Sequence, residues 1–235
     1  MAVVFIVNGD LSVREGLASV IRSAGWRCET FSDAQAFLQQ PRAQGPACLV
    51  LDAELPDMSG LDLQSRVAHR VGLPVIFTAK CPVLRAAVLA MKAGAVEFLS
   101  EPPDPHLLSS AVRAALDRSR AALAREAEVR SLGARYESLS AREREVMSKI
   151  VVGHMNKIIA TDLGISVITV KAHRGKVMRK MQAASLPDLV NMAARLRPIL
   201  PAGDDKWLSS SITTAGGSSG ALQSPWPLRL SPACP

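Results

Sequence analysis

A chain of 235 residues, 48% of them apolar, is long enough for two domains of ordinary size, each with a buried core of its own. The formal charge of +7 is unevenly spread: residues 1–106 hold 9 basic and 11 acidic side chains, residues 107–135 hold 6 and 3, and residues 136–200 hold 11 and 5. Only the C-terminal half therefore suits a polyanion such as DNA, and the widely spaced Cys28, Cys48, Cys81 and Cys234 argue against a zinc site or a disulfide framework. None of His69, His106, His154 and His173 has a partner at metal-ligand spacing, so no metal site is expected from them. The apolar start, Met1 to Val7, is too short for a signal peptide or a membrane span. The expected location is the cytoplasm, with no membrane partner.

In chain order, short β-branched runs alternate with longer amphipathic ones over the first hundred residues. This pattern predicts an α/β fold with a doubly wound five-stranded parallel sheet, its strands near 3–7, 26–30, 47–52, 73–77 and 95–99. Ser32 with Gln35 predicts a capping box for the helix after the second strand, and Gly25 and Gly94 end the helices before the second and fifth. Function in such a sheet gathers at the carboxyl ends of the strands. Those ends offer Asn8, Gly9, Asp10, Asp52, Thr78 and Glu101.

From Pro105 to about Tyr136 the Ala, Arg and Glu content predicts one long helix, its apolar seam interrupted at Ser119 and Glu126. Ser140 with Glu143 is a capping box for the next helix. Asn156 to Leu163 reads as a short helix ended by Gly164, and Ser166 caps a longer one through Met181. In that helix Val170, Val177 and Met181 form a core stripe, while Lys171, Arg174, Lys176, Arg179 and Lys180 lie on other faces. A last helix, Ser185 to about Arg197, is expected to expose Leu189, Val190 and Met192. The expected organisation is a domain at 1–119, a helical linker at 120–135, an all-α helix-turn-helix domain at 136–200 and a disordered tail at 201–235, rich in Ser, Gly and Pro.

Val50-Leu51-Asp52 followed by Leu55-Pro56-Asp57-Met58-Ser59-Gly60 puts a carboxylate where an apolar strand meets a turn. That run resembles the receiver domain of bacterial response regulators, and residues 139–181, beginning Leu139-Ser140-Ala141-Arg142-Glu143-Arg144-Glu145-Val146, resemble the LuxR-type helix-turn-helix of the NarL/FixJ family. Together the two cover about four fifths of the chain. The resemblance makes Asp52 the phosphoacceptor candidate and Thr78 with Phe98 the switch pair. The same resemblance marks the pocket as atypical. Asn8 and Gly9 stand where the family has an acidic pair for Mg²⁺, Asp10 falls one place late, and Glu101 replaces the lysine before Pro102, a proline commonly cis in the family.

Asp52, Glu101 and Asp10 then face one another with no fixed cation, and like charges about 4 Å apart repel by about 1 to 4 kcal/mol. Magnesium binding is expected to be weak or absent, and no other cofactor and no catalytic turnover are indicated. For DNA contact the resemblance marks Lys171, Ala172 and Gly175 as base-facing, and Arg174 and Lys176 as phosphate contacts. Lys157, Thr169 and Arg179 complete the candidate set, with His173 packing inward and Ile158 where the family has Glu.

The expected function is a DNA-binding transcriptional response regulator, a homodimer on double-stranded DNA, whose receiver is not switched by ordinary Mg²⁺-dependent phosphorylation. Two alternatives stand beside it: a conventional phosphorelay regulator phosphorylated slowly on Asp52, and an inhibitory partner that hetero-dimerises with another regulator. A sensor kinase or another regulatory protein is the second expected partner class.

Overall fold

The structure, a computed structural model, describes residues 2–81 and 84–196. Five parallel strands, β1 (Val3–Val7), β2 (Arg27–Phe31), β3 (Ala47–Asp52), β4 (Val75–Ala79) and β5 (Glu97–Ser100), lie in the order β2-β1-β3-β4-β5. Helices α1 (Leu11–Ser23), α2 (Ala34–Leu38), α3 (Gly60–Val67), α4 (Leu84–Lys92) and α5 (Pro105–Glu137) follow them in turn. Every residue of β1 is buried because both faces of the sheet are covered, which is why these strands read as continuous apolar runs. Alternate side chains feed two cores: Val4, Ile6, Val50 and Ile76 pack with Leu17 and Leu108 on one side, and Phe5, Leu49, Leu51 and Phe77 with Phe37 and Leu63 on the other. Strand order reverses between β1 and β3, so the crevice above Asn8 and Asp52 is the place where such a sheet holds its chemistry.

Val4 pairs with Cys28 on one side and Cys48 on the other. Two strand spacings put their Cα atoms about 9.5 Å apart, too far for a disulfide. Burial pushes the Cys48 thiol up to about 12.

Three details depart from the sequence pattern. The N-cap of α2 is Asp33, whose carboxylate accepts the Ala36 N–H at 2.8 Å, and Asp57 accepts the Ala34 and Gln35 N–H groups from across the crevice. Ser32 instead donates its hydroxyl to Asp33, so the Ser32–Gln35 box is corrected: an ionised carboxylate one place later is the stronger acceptor for the helix end. Strands β4 and β5 begin two residues later than expected, at Val75 and Glu97. The interruptions in the α5 seam are partners rather than defects. Ser119 is fully buried, accepting the Ala47 N–H at 2.9 Å and donating to the Gly72 carbonyl, and Glu126 pairs with Arg42. Ser119→Ala leaves a buried N–H without an acceptor and should cost the sheet domain about 1 to 3 kcal/mol, read as a lower urea midpoint. An unchanged midpoint would contradict it.

The chain divides into two units, Met1–Glu128 and Val129–Pro235. In the second, α6 (Ala141–Val151), α7 (Asn156–Leu163), α8 (Val167–Met181) and α9 (Leu186–Leu196) enclose Val146, Met147, Ile150, Ile159, Val170 and Val177. Ser140 and Glu143 form the expected capping box, Ser166 caps α8, and Gly164 takes the left-handed conformation (φ 63) that ends α7. Leu189 was expected on the surface but is fully buried, because α9 turns it into this core with Ala193 and Leu196. Val190 is exposed and Met192 half-buried. The expectations for residues 197–235, the tail among them, lie outside the described residues. No helix among the described residues is long and apolar enough to cross a membrane.

Candidate functional site

At the crevice, the loop that follows β1 delivers Asn8, Gly9 and Asp10. Asn8 is fully buried. Its Nδ2 donates to Glu101 Oε1 at 2.9 Å, its Oδ1 accepts the Asp10 N–H at 2.8 Å, and its carbonyl accepts from Arg14 at 2.6 Å. The structure thus joins positions 8 and 101 in one hydrogen bond. Glu101 Oε2 is buried without a partner among the described residues, and the Glu101–Pro102 peptide is cis.

Asp10 caps α1 by accepting the Ser12 and Val13 N–H groups, and it receives Lys80 Nζ at 2.8 Å. The Lys80 hydrogen bond, helped by the cap, holds the Asp10 carboxyl below its ordinary value, and the same contact raises Lys80. Lys80 follows the last residue of β4 and lines a cleft of about 460 Å³ with Asp10, Asp52, Glu54, Gly9 and Pro56. The expectation of a pocket with no fixed cation is corrected. Sequence reasoning missed Lys80 because it ended β4 two residues early, which left Lys80 in an unplaced loop.

Asp52 ends β3 beside Thr78, its register partner on β4. Burial, with a smaller push from Glu101, raises its carboxyl above the ordinary value, against the Glu54 N–H that donates to it at 3.0 Å. Thr78 is fully buried and its hydroxyl has no partner among the described residues. Phe98 stacks on Phe77 with centroids 5.8 Å apart, so its ring is half-buried core in this state.

In the second unit the buried Glu143 accepts the Ser140 N–H at 2.9 Å and Lys180 Nζ at 2.6 Å, the lysine chiefly responsible for depressing its carboxyl. That pair ties the start of α6 to the end of α8; the capping box was legible, Lys180's share in it was not. Along α8, Lys171, Ala172, Gly175, Lys176 and Arg179 are exposed, as is Lys157 on α7. Thr169 is half-buried with its hydroxyl 2.8 Å from that of Ser166, and Arg174 turns toward Asn156 Oδ1 at 3.4 Å. These two are therefore less exposed than the other candidates.

A five-stranded receiver sheet followed by a helix-turn-helix unit defines a class, and comparison with known proteins supports it. Residues 4–113 match the response regulator receiver domain, and residues 137–193 match the bacterial regulatory proteins of the luxR family. The chain is 42% identical to nodulation protein W of Bradyrhizobium diazoefficiens, covering 83% of this chain and 86% of that one. It is 40% identical to the response regulator protein TodT of Pseudomonas putida, over 85% and 88% of the two chains. Among solved structures, the response regulator StyR is 39% identical with a TM-score of 0.71, covering 83% of this chain and 98% of that one. The chain belongs to the NarL/FixJ family: it is a two-component response regulator with a LuxR-type DNA-binding domain.

Proposed function

We propose that this regulator controls transcription as a cytoplasmic homodimer on DNA, and that its receiver serves as a protein-contact module which ordinary Mg²⁺-dependent phosphorylation does not switch. The observation that carries this reading is the Asn8 Nδ2–Glu101 Oε1 hydrogen bond, because it ties together the positions where the resemblance calls for a metal-binding acid and a phosphate-binding lysine. Phosphoryl transfer to a carboxylate needs cations around the transferred oxygens. The donors at positions 8–10 do not suit a divalent ion: Asn8 brings a neutral amide already spent on Glu101, Gly9 brings no side chain, and the Asp10 carboxylate is held by Lys80 and two backbone N–H groups.

Lys80 favours a second reading, slow phosphorylation of Asp52, because it brings one ammonium to the cleft. Its pairing with Asp10 weighs against that. We likewise propose that a sensor kinase or another regulatory protein docks on this receiver, beside a third reading in which the chain is an inhibitory hetero-dimerising partner of another regulator. DNA affinity measured with and without beryllofluoride and Mg²⁺ tests the first reading. It should not move; an increase of tenfold or so would establish an ordinary phosphorylation switch.

A further inference from the structure

The outer face of α8 has a composition that points to what it reads. The buried stripe is Val170, Val177 and Met181. At about 100° per residue, Ile168, Ala172, Gly175 and Arg179 fall within about 40° of the line opposite that stripe, with Lys176 about 60° to one side and Lys171 about 80° to the other. The first three of these carry no hydrogen-bonding group in their side chains. Ile168, in the first turn, is 79% exposed, so it contributes almost nothing to the core of its own unit. A Cβ built on Gly175 meets nothing within 4 Å, which leaves open space beside it on this face. Cations thus frame an apolar centre line, with Arg179 closing its C-terminal end.

A helix-turn-helix lays the early residues of its second helix against base edges in the major groove. There the one apolar group a base pair presents is the 5-methyl of thymine. We infer that Ile168 is a specificity-determining residue of this regulator, covering the 5-methyl group of a thymine in each half-site, while Lys171 and Lys176 hold the flanking strands. The inference rests on the DNA-binding reading of the second unit and adds the feature of DNA that it recognises. Ile168 lay outside the sequence-derived candidates because an apolar residue in a first helical turn carries no recognition signal without the burial pattern around it.

The test uses the full chain and a pool of duplexes with a randomised core. The enriched duplex is then made with deoxyuridine for thymidine, which removes only the 5-methyl groups. Wild-type affinity, read by fluorescence anisotropy, should fall about fourfold for each covered methyl. Ile168→Ala should bind the two duplexes within about twofold of each other. Val190→Ala, which truncates an exposed apolar side chain on α9, should keep the wild-type loss. Equal wild-type binding to both duplexes overturns the inference, as does a full methyl-dependent loss retained in Ile168→Ala. A pool that enriches no sequence overturns it together with the DNA-binding reading; enrichment without methyl dependence overturns it alone.

Discussion

The DNA affinity should fall, for each protomer bound, by about 250-fold to about 1,000-fold as monovalent salt is raised from about 50 to about 200 mM. Lys157, Lys171, Lys176 and Arg179 are exposed on α7 and α8, within a segment whose 11 basic side chains outnumber 5 acidic ones. About four to six phosphate contacts per protomer give a slope of log K against log salt near −4 to −5, because each neutralised phosphate releases part of a counterion. Arg179→Ala should reduce that slope by about one and weaken specific and non-specific duplexes alike. A flat salt response would remove the helix-turn-helix face from the binding account altogether.

The second large effect is expected inside the same unit. Glu143 is 4% exposed, yet it carries a charge, and its carboxylate serves both the α6 cap and Lys180 of α8. Glu143→Ala removes the reciprocal half of the capping box and a charge-assisted bond, at a cost of about 2 to 3 kcal/mol to the folded unit. Urea unfolding of a fragment beginning at 129 reads this directly. The fragment has to begin there because Leu132 and Tyr136 are part of its core. The depressed carboxyl also fixes the sign of the pH dependence. Its contribution is fully present above the usual glutamate range and is lost as pH falls through the lowered value, so wild type and Glu143→Gln should converge in acid. A difference that is constant with pH would show that the ion pair contributes nothing.

The parts of this molecule that were legible in the sequence are those set by local periodicity and by caps. Val170, Val177 and Met181 mark the buried side of α8 by spacing alone, and Ser140, Ser166 and Gly164 mark helix ends because each supplies a specific acceptor or backbone conformation. Contacts between distant segments were not legible. Ser119 looked like a break in an apolar seam, and only the sheet beneath it reveals that it serves Ala47 and Gly72. Leu189 looked like surface for the same reason in reverse.

At the pocket, Asn8 and Glu101 could be picked out as candidates at strand ends, but not that they bond to each other. Their separation of 93 residues carries no local signal. Lys80 was hidden by a boundary error of two residues, a small slip in a strand that moved one charge out of the site.

Intact mass after treatment with a small phosphodonor and Mg²⁺ tests the account most directly. The wild type should carry no phosphoryl adduct. Asn8→Asp with Gly9→Asp restores the acids and leaves Glu101 in place, and Glu101→Lys alone supplies a cation without a metal cradle, so neither should be modified. The triple variant should carry one adduct, lost on adding Asp52→Asn. At position 9 a Cβ meets the Pro56 ring at 3.2 Å, so the ring has to yield by a few tenths of an ångström. A wild-type adduct that forms at the rate of an ordinary receiver and disappears in Asp52→Asn would contradict the account and make this chain a conventionally phosphorylated response regulator.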